Sequence, residues 1–205
     1  MAADPHEISR VTCADYAGRA DDFWLGTQDH DVGQNLDALE RALGPGRHRI
    51  LDFGCGPGRD LVAWTDRGHE GVGLDGTERF VEMAREHSGC EVLHQDFLAL
   101  DLPPAHFDGV FANASLFHVP TTALPRVLGE LAAAVRPGGV LFSSNPRGQN
   151  EEGWNGSRYG VYHDLIAWRA YMDAAGFREV EHYYRPAGKP RPEQRWLASV
   201  WRRNG

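Results

Sequence analysis

Cysteine is scarce in this 205-residue chain: Cys13, Cys55 and Cys90 stand far apart, with no C-x-x-C pair. That usage suits free thiols in a reducing cytoplasm. The histidines show no H-E-x-x-H spacing, so no metal site is expected. A basic excess is missing too: the net charge of −8 argues against a general nucleic-acid binder. The N-terminal stretch Ala2-Ala3-Asp4-Pro5-His6-Glu7 has neither a basic region nor an apolar run, so neither a signal peptide nor a membrane span is expected, and a cytoplasmic location is. There is no internal repeat and no low-complexity tail. With 41% hydrophobic residues the chain can bury one core, which predicts a single domain over 1–205.

What is present begins with Ile50-Leu51-Asp52-Phe53-Gly54-Cys55-Gly56-Pro57-Gly58. The apolar residues read as a short buried strand, and the glycines that follow force a sharp turn where a ligand can lie against bare backbone. A helix from Asp60 to Arg67 then points its N-terminus at the turn. The loop is not a dinucleotide fingerprint, because Arg59 stands where a final glycine would be required, and no lysine followed by serine or threonine makes it a P-loop. Asp52 would repel a pyrophosphate and welcome a cation. The next strand ends at Asp75, whose carboxylate can accept two hydrogen bonds from a ribose diol. The ligand implied is a cationic nucleoside.

A helix is predicted over Asp29–Leu43 from Val32, Leu36, Leu39 and Leu43, stopped by Gly44-Pro45-Gly46. Strands are predicted at Arg49–Phe53, Glu70–Leu74, Glu91–His94, Phe107–Ala112, Val140–Ser144, Arg178–Tyr184 and Leu197–Arg202, with helices between most of them. This alternation gives an open, mostly parallel sheet. The last two strands lack an intervening helix and should pair antiparallel.

Together these segments resemble the class I S-adenosylmethionine-dependent methyltransferases, in particular the small free-standing type that acts on small molecules. The resemblance rests on Ile50–Gly58, on Val72–Asp75, on Gln95-Asp96-Phe97 with Phe107–Ala112, and on Arg136-Pro137-Gly138-Gly139-Val140-Leu141. It implies a Rossmann-like α/β fold: an open seven-stranded, mostly parallel sheet with an antiparallel C-terminal strand, helices on both faces and an N-terminal helical cap. The expected division is an N-terminal arm (1–48), a cofactor-binding core (49–144), and a substrate loop, helix and C-terminal hairpin (145–205). The implied cofactor is S-adenosyl-L-methionine: the glycine loop touches its methionine part, Asp75 its ribose, and Asp96 with Phe97 its adenine. Cofactor contacts are expected at Tyr16, Trp24, Asp52, Gly54, Cys55, Gly56, Gly58, Asp75, Gly76, Asp96, Phe97 and Asn113.

Ligands of open parallel sheets sit beyond the carboxyl ends of the strands. The run Asn145–Gly160 is long for a loop, and its tryptophan and tyrosine favour a substrate-lining role. Substrate contacts are assigned to Arg147, Trp154, Tyr159 and Arg185. The arginines suit an anionic acceptor, and equally a charged hairpin edge. His118 reads either as a base near the transferred methyl or as a packed, hydrogen-bonded histidine. His30 and Tyr159 are the other catalytic candidates, while Asp29 or Asp31 reads as a helix cap. Tyr16, Phe23 and Trp24 either close over the cofactor or anchor the arm. A sulfonium methyl needs chiefly alignment with its acceptor, so the expected reaction is metal-independent transfer to an O, N or S atom of a small molecule. Ser143-Ser144-Asn145 stands where a metal-binding carboxylate would be expected in the catechol-type branch. Rival readings are a nucleic-acid or protein methyltransferase, opposed for nucleic acid by Asn113-Ala114-Ser115-Leu116 in place of an Asn-Pro-Pro-Tyr-like motif, and a non-catalytic regulatory protein. No nucleic-acid or membrane partner is expected, and the chain is read as a monomer or homodimer.

Overall fold

The apolar runs picked out above form strands that pack between two layers of helices. The computed structural model describes residues 4–205; Ala2 and Ala3 of the N-terminal stretch lie outside them. Three helices come first: α1 (Pro5–Ala17), α2 (Ala20–Thr27) and α3 (Gly33–Leu43). Then follow β1 (Arg49–Phe53), α4 (Arg59–Asp66), β2 (Glu70–Asp75), α5 (Glu78–Ser88), β3 (Glu91–His94), β4 (Phe107–Asn113), α6 (Leu124–Ala134) and β5 (Val135–Pro146). The chain ends with β6 (Glu151–Asn155), β7 (Arg158–Tyr162), α7 (Leu165–Ala174), β8 (Phe177–Arg185) and β9 (Trp196–Arg203).

Seven strands make one sheet in the order β3-β2-β1-β4-β5-β9-β8. All are parallel except β9, which runs antiparallel to both β5 and β8. Side chains alternate faces along each strand, so neighbouring residues serve opposite layers. Leu51, Val110, Leu141 and Trp201 pack with α6 and α7. Ile50, Phe111, Phe142 and Val200 pack with α3 and with Trp64 of α4. Among the described residues no helix is long and apolar enough to cross a membrane.

Three differences from the sequence reading have local causes. Helix α3 starts at Gly33 rather than Asp29, with Val32 at its N-cap and no side-chain cap; the Asp31 carboxylate accepts the Gly33 N–H at 2.9 Å in a local turn that leads into it. Strand β5 begins five residues early: Val135 already pairs with Phe107, and the register shifts before Val140 pairs with Gly109. Gly139 permits that irregularity, since a Cβ there would lie 2.7 Å from the Asp108 carbonyl oxygen. The run 145–160 is no open loop; most of it is the antiparallel hairpin β6–β7, turning at Gly156-Ser157 with Gly156 at φ 64°.

Candidate active site

Strands β1, β2 and β4 end side by side, and their following turns enclose a cavity of about 670 Å³, part of it open to solvent. Its floor is Gly54, Gly56, Asp75 and Gly76; Phe97 and Leu98 form one wall, and Ala114, Ser115 and His118 another. Helix α1 roofs it with Ser9, Thr12, Cys13 and Tyr16, joined by Phe23 of α2.

The glycines have separate tasks. A Cβ on Gly54 would lie 2.4 Å from the Ser115 Cβ, and one on Gly58 would lie 2.8 Å from the Ala84 Cα of α5. Both therefore admit protein neighbours. Gly56, at φ 51°, meets nothing closer than 3.8 Å, which leaves its backbone open to a ligand. Its N–H donates to Asp75 at 3.0 Å, while the other Asp75 oxygen accepts the Thr77 N–H at 2.8 Å. Each oxygen keeps a lone-pair direction free. Burial pushes the Asp75 pKa up, opposed by those backbone hydrogen bonds.

Asp52 is buried, and one of its carboxylate oxygens has no hydrogen-bond partner among the described residues. Burial and the neighbouring Asp60 hold its pKa well above the usual carboxylate range. Asp52 is not among the residues that line the cavity. Asp96 accepts from the Ser9 hydroxyl at 2.8 Å and the Leu98 N–H at 2.9 Å, pinning α1 to the segment after β3. Phe97 stacks on Phe53 with ring centroids 4.2 Å apart. The flat wall, the free carboxylate lone pairs and the bare loop fit an adenosine that carries a cationic tail.

At the far end of the cavity His118 Nδ1 donates to the Tyr159 carbonyl at 2.6 Å. That tautomer leaves Nε2 as acceptor for the Tyr16 hydroxyl at 2.9 Å. Arg158 donates to the same hydroxyl at 3.1 Å. Burial, reinforced by Arg158, lowers the His118 pKa to about 4, against the pull of the Tyr159 carbonyl, so the ring is neutral near pH 7. Ala114 beside it holds φ 63°, a left-handed conformation that costs energy for a residue with a side chain.

Of the residues named from sequence, the cavity thus gathers Tyr16, Gly54, Gly56, Asp75, Gly76, Phe97 and His118. Cys55 and Gly58 lie in the loop beneath its surface. Asn113 accepts from Asn35 at 3.0 Å and donates to Asp60 at 3.1 Å, tying α3 and α4 to β4. Trp24 stacks on His87 at 4.3 Å, outside the cavity. His30 is exposed after α2. Tyr159 reaches His118 through its carbonyl alone, and Trp154 packs edge-on against Tyr159 with 45% of its surface exposed. Arg147 donates to the carbonyls of Gln194 and Arg191, and Arg185 to that of Asp31. The sequence reading missed Ser9, Thr12 and Cys13. Their signal was a helical i, i+3, i+4, i+7 spacing with Tyr16, behind the Asp4 cap and Pro5, but small polar residues do not register as an apolar face.

Residues 50–139 match a family described as a methyltransferase domain. The chain is 31% identical over 155 residues to a ubiquinone biosynthesis O-methyltransferase of Aromatoleum aromaticum, covering 70% of this chain and 63% of that one. It is 35% identical over 116 residues to a malonyl-[acyl-carrier protein] O-methyltransferase of Erwinia pyrifoliae, covering 56% and 44%. Across the first curated relatives the matches span 28% to 63% of the relatives' length. In fold it is similar to the 1,6-didemethyltoxoflavin-N1-methyltransferase of Burkholderia thailandensis, solved with 1,6-didemethyltoxoflavin and S-adenosylhomocysteine: TM-score 0.82, 23% identity, 100% and 92% of the two chains covered.

Proposed function

We propose that this chain, of which residues 50–139 match a methyltransferase-domain family, is an S-adenosylmethionine-dependent methyltransferase that methylates an O, N or S atom of a small molecule without a metal. The observation that carries the proposal is the roofed cavity over Gly54, Gly56 and Asp75. S-adenosylmethionine, when bound, supplies a sulfonium-activated methyl group. Asp75 holds the ribose through its free lone pairs, and Phe97 with Leu98 gives the adenine an apolar slot. Roofed by α1, the cavity holds acceptor in line with methyl, positioning that can be worth up to about 7–11 kcal/mol.

Tyr16 and His118 border the acceptor end. Because the neutral ring of His118 spends Nδ1 on Tyr159 and Nε2 on Tyr16, it orients the tyrosine and takes no proton. The acceptor therefore brings its own free lone pair, and turnover should track the acceptor's pKa. Arg147 and Arg185, which do not line the cavity, donate to backbone carbonyls and have no carboxylate within ion-pair distance among the described residues, which leaves their charge available to an anionic group. Ser143, Ser144 and Asn145 at the end of β5 supply no carboxylate for a metal.

The test is calorimetry with S-adenosylhomocysteine, followed by turnover of labelled S-adenosylmethionine against a pool of small metabolites with and without EDTA. Tight product binding and EDTA-insensitive label transfer are expected. Absence of binding overturns the reading; binding without transfer to any acceptor supports a regulatory protein instead; and activity lost in EDTA and restored by metal overturns the metal-independent part.

A further inference from the structure

The cations of the run from Arg185 to Arg203 fall into two groups at opposite ends of β9. Arg202 and Arg203, late in that strand, donate to the carbonyls of Gly138, Ala42 and Val135. The others gather where β5 and β8 finish and β9 begins: Pro146, Trp196 and Arg185 stand in one row across those three strands. Just beyond that row the Arg147 N–H donates to the Arg195 carbonyl at 2.9 Å, and the Arg147 guanidinium donates to the carbonyls of Gln194 and Arg191, each at 2.7 Å. The same guanidinium lies over Tyr184, 5.6 Å from the ring centroid, and Arg191 covers that ring as well. Residue 147 and the segment 185–195 together carry five cations and one acid, Glu193.

Among the described residues the ion pairs are made by other cations, so the charge of this corner is unpaired there. Arg185 gives one N–H to the Asp31 carbonyl, and Lys189, Arg191 and Arg195 are exposed. Like charges crowded together repel each other, so a counter-charge is favoured here in spite of the chain's net charge of −8. Small-molecule sites are concave, and these five cations stand outside the cavity. Single-stranded nucleic acid stacks its bases on free aromatic faces, whereas Tyr184 is held by two guanidiniums and Trp196 packs edge-on to Phe117 at 6.5 Å. A membrane takes up large apolar side chains, and the exposed ones, Leu25, Trp154, Ile166 and Val180, all lie elsewhere in the chain. Carboxylates on a protein surface remain, and arginine forks match them two oxygens at a time.

We propose that this corner docks an acidic segment of a partner protein, a stretch in which aspartates and glutamates cluster. Lys189, Arg191 and Arg195 meet the carboxylates. Arg147, fixed by two carbonyls and Tyr184, and Arg185, fixed by Asp31, need little further ordering, which lowers the cost of association. Because β4 and β5 are parallel, the corner lies on the carboxyl side of the sheet, as the cofactor cavity does. Trp196 at its inner border packs on Phe117, the neighbour of His118. A docked partner therefore sits on the same side of the molecule as the cavity. The docking goes beyond the methyltransferase reading and does not depend on it.

The probe is a fluorescent decaglutamate peptide, titrated into the full chain at low salt and followed by anisotropy. Saturable binding is expected although the chain is acidic overall, and it should vanish in ~1 M salt, where charges more than about 3 Å apart are screened. Peptide-induced amide shifts should fall at Arg147 and within 185–195. The double reversal Arg191→Glu with Arg195→Glu should weaken the peptide at least tenfold, and Arg191→Lys with Arg195→Lys should keep most of the affinity. An unchanged urea midpoint shows that each variant is folded. Absence of saturable binding, or equal binding by the charge-reversed variant, overturns the docking surface. Tighter binding of a thymidine decanucleotide or of anionic lipid vesicles also overturns it, as does displacement of the peptide by an equal concentration of inorganic phosphate. Sedimentation that shows a dimer of the chain, dissolved by the same reversal, would assign the corner to a second copy instead.

Discussion

His118 shows how one side chain can carry both a site and a stability signature. Its pKa falls from 6.5 to about 4 through burial, so the unfolded chain binds a proton that the folded chain refuses. Stability from this group is therefore complete above pH 6.5 and declines as pH drops towards 4, by about 3 kcal/mol in all at about 1.4 kcal/mol per unit. Asp52 and Asp75 act with the opposite sign, since their raised pKa values favour the folded state as acid is added. The difference between wild type and His118→Gln isolates the histidine: urea midpoints should converge as pH falls from 7 to 4. Parallel profiles would show that the ring is not neutral and buried. Asp75→Ala is the matching test on the cofactor side. Losing a charged acceptor that faces the cavity should cost about 1.5–3 kcal/mol, or roughly 10–150-fold in S-adenosylhomocysteine affinity by calorimetry. Asp75 was legible in sequence because a carboxylate at a strand end has one obvious use. The reasons for Gly54 and Gly58 were not, since the tight neighbours Ser115 and Ala84 come from distant segments.

Among the elements, α1 and the hairpin β6–β7 work as a pair. Arg158 of β7 donates to Tyr16 of α1 and lies 3.8 Å from Asp15, while the Tyr159 N–H donates to Thr12 at 3.2 Å. The hairpin thus latches the roof from outside. Arg158→Ala should speed amide exchange in α1 and weaken S-adenosylhomocysteine several-fold, within the ~0.2–1 kcal/mol of a partly exposed ion pair, while the sheet amides stay protected. Unchanged exchange in α1 would remove the latch. Most of the sheet strands were readable because they are short apolar runs, several of them set between helices. Glu151-Glu152-Gly153-Trp154-Asn155 has no such run, and only the Gly156-Ser157 pair between Asn155 and Arg158 marked it as a hairpin arm. Of that stretch, the Arg158 side chain and the Tyr159 backbone reach the roof, and the Tyr159 carbonyl accepts from His118.

Across the whole molecule, folding and ligand binding draw on different parts of the chain. The two large apolar clusters that clamp the sheet contain residues of α3, α4, α6 and α7 but none of α1. Helix α1 buries only Ile8 and Thr12 and spends Ser9, Cys13 and Tyr16 on the cavity roof. The alternation of strand residues between two helical layers therefore specifies the core without the arm, which is why the core could be read from periodicity while the roof could not. Deleting residues 1–18 should leave a chain that unfolds cooperatively in urea with near-native strand and helix signal from the remainder. The same deletion removes Ser9 from Asp96 and Tyr16 from His118, and it opens the cavity to water. S-adenosylhomocysteine affinity should fall at least tenfold, and ligand at 100 times the wild-type Kd should no longer add the ~2.7 kcal/mol of stability expected of the intact protein. A truncated chain that fails to fold would make α1 part of the core. One that folds and binds as tightly as before would take the roof out of cofactor recognition altogether.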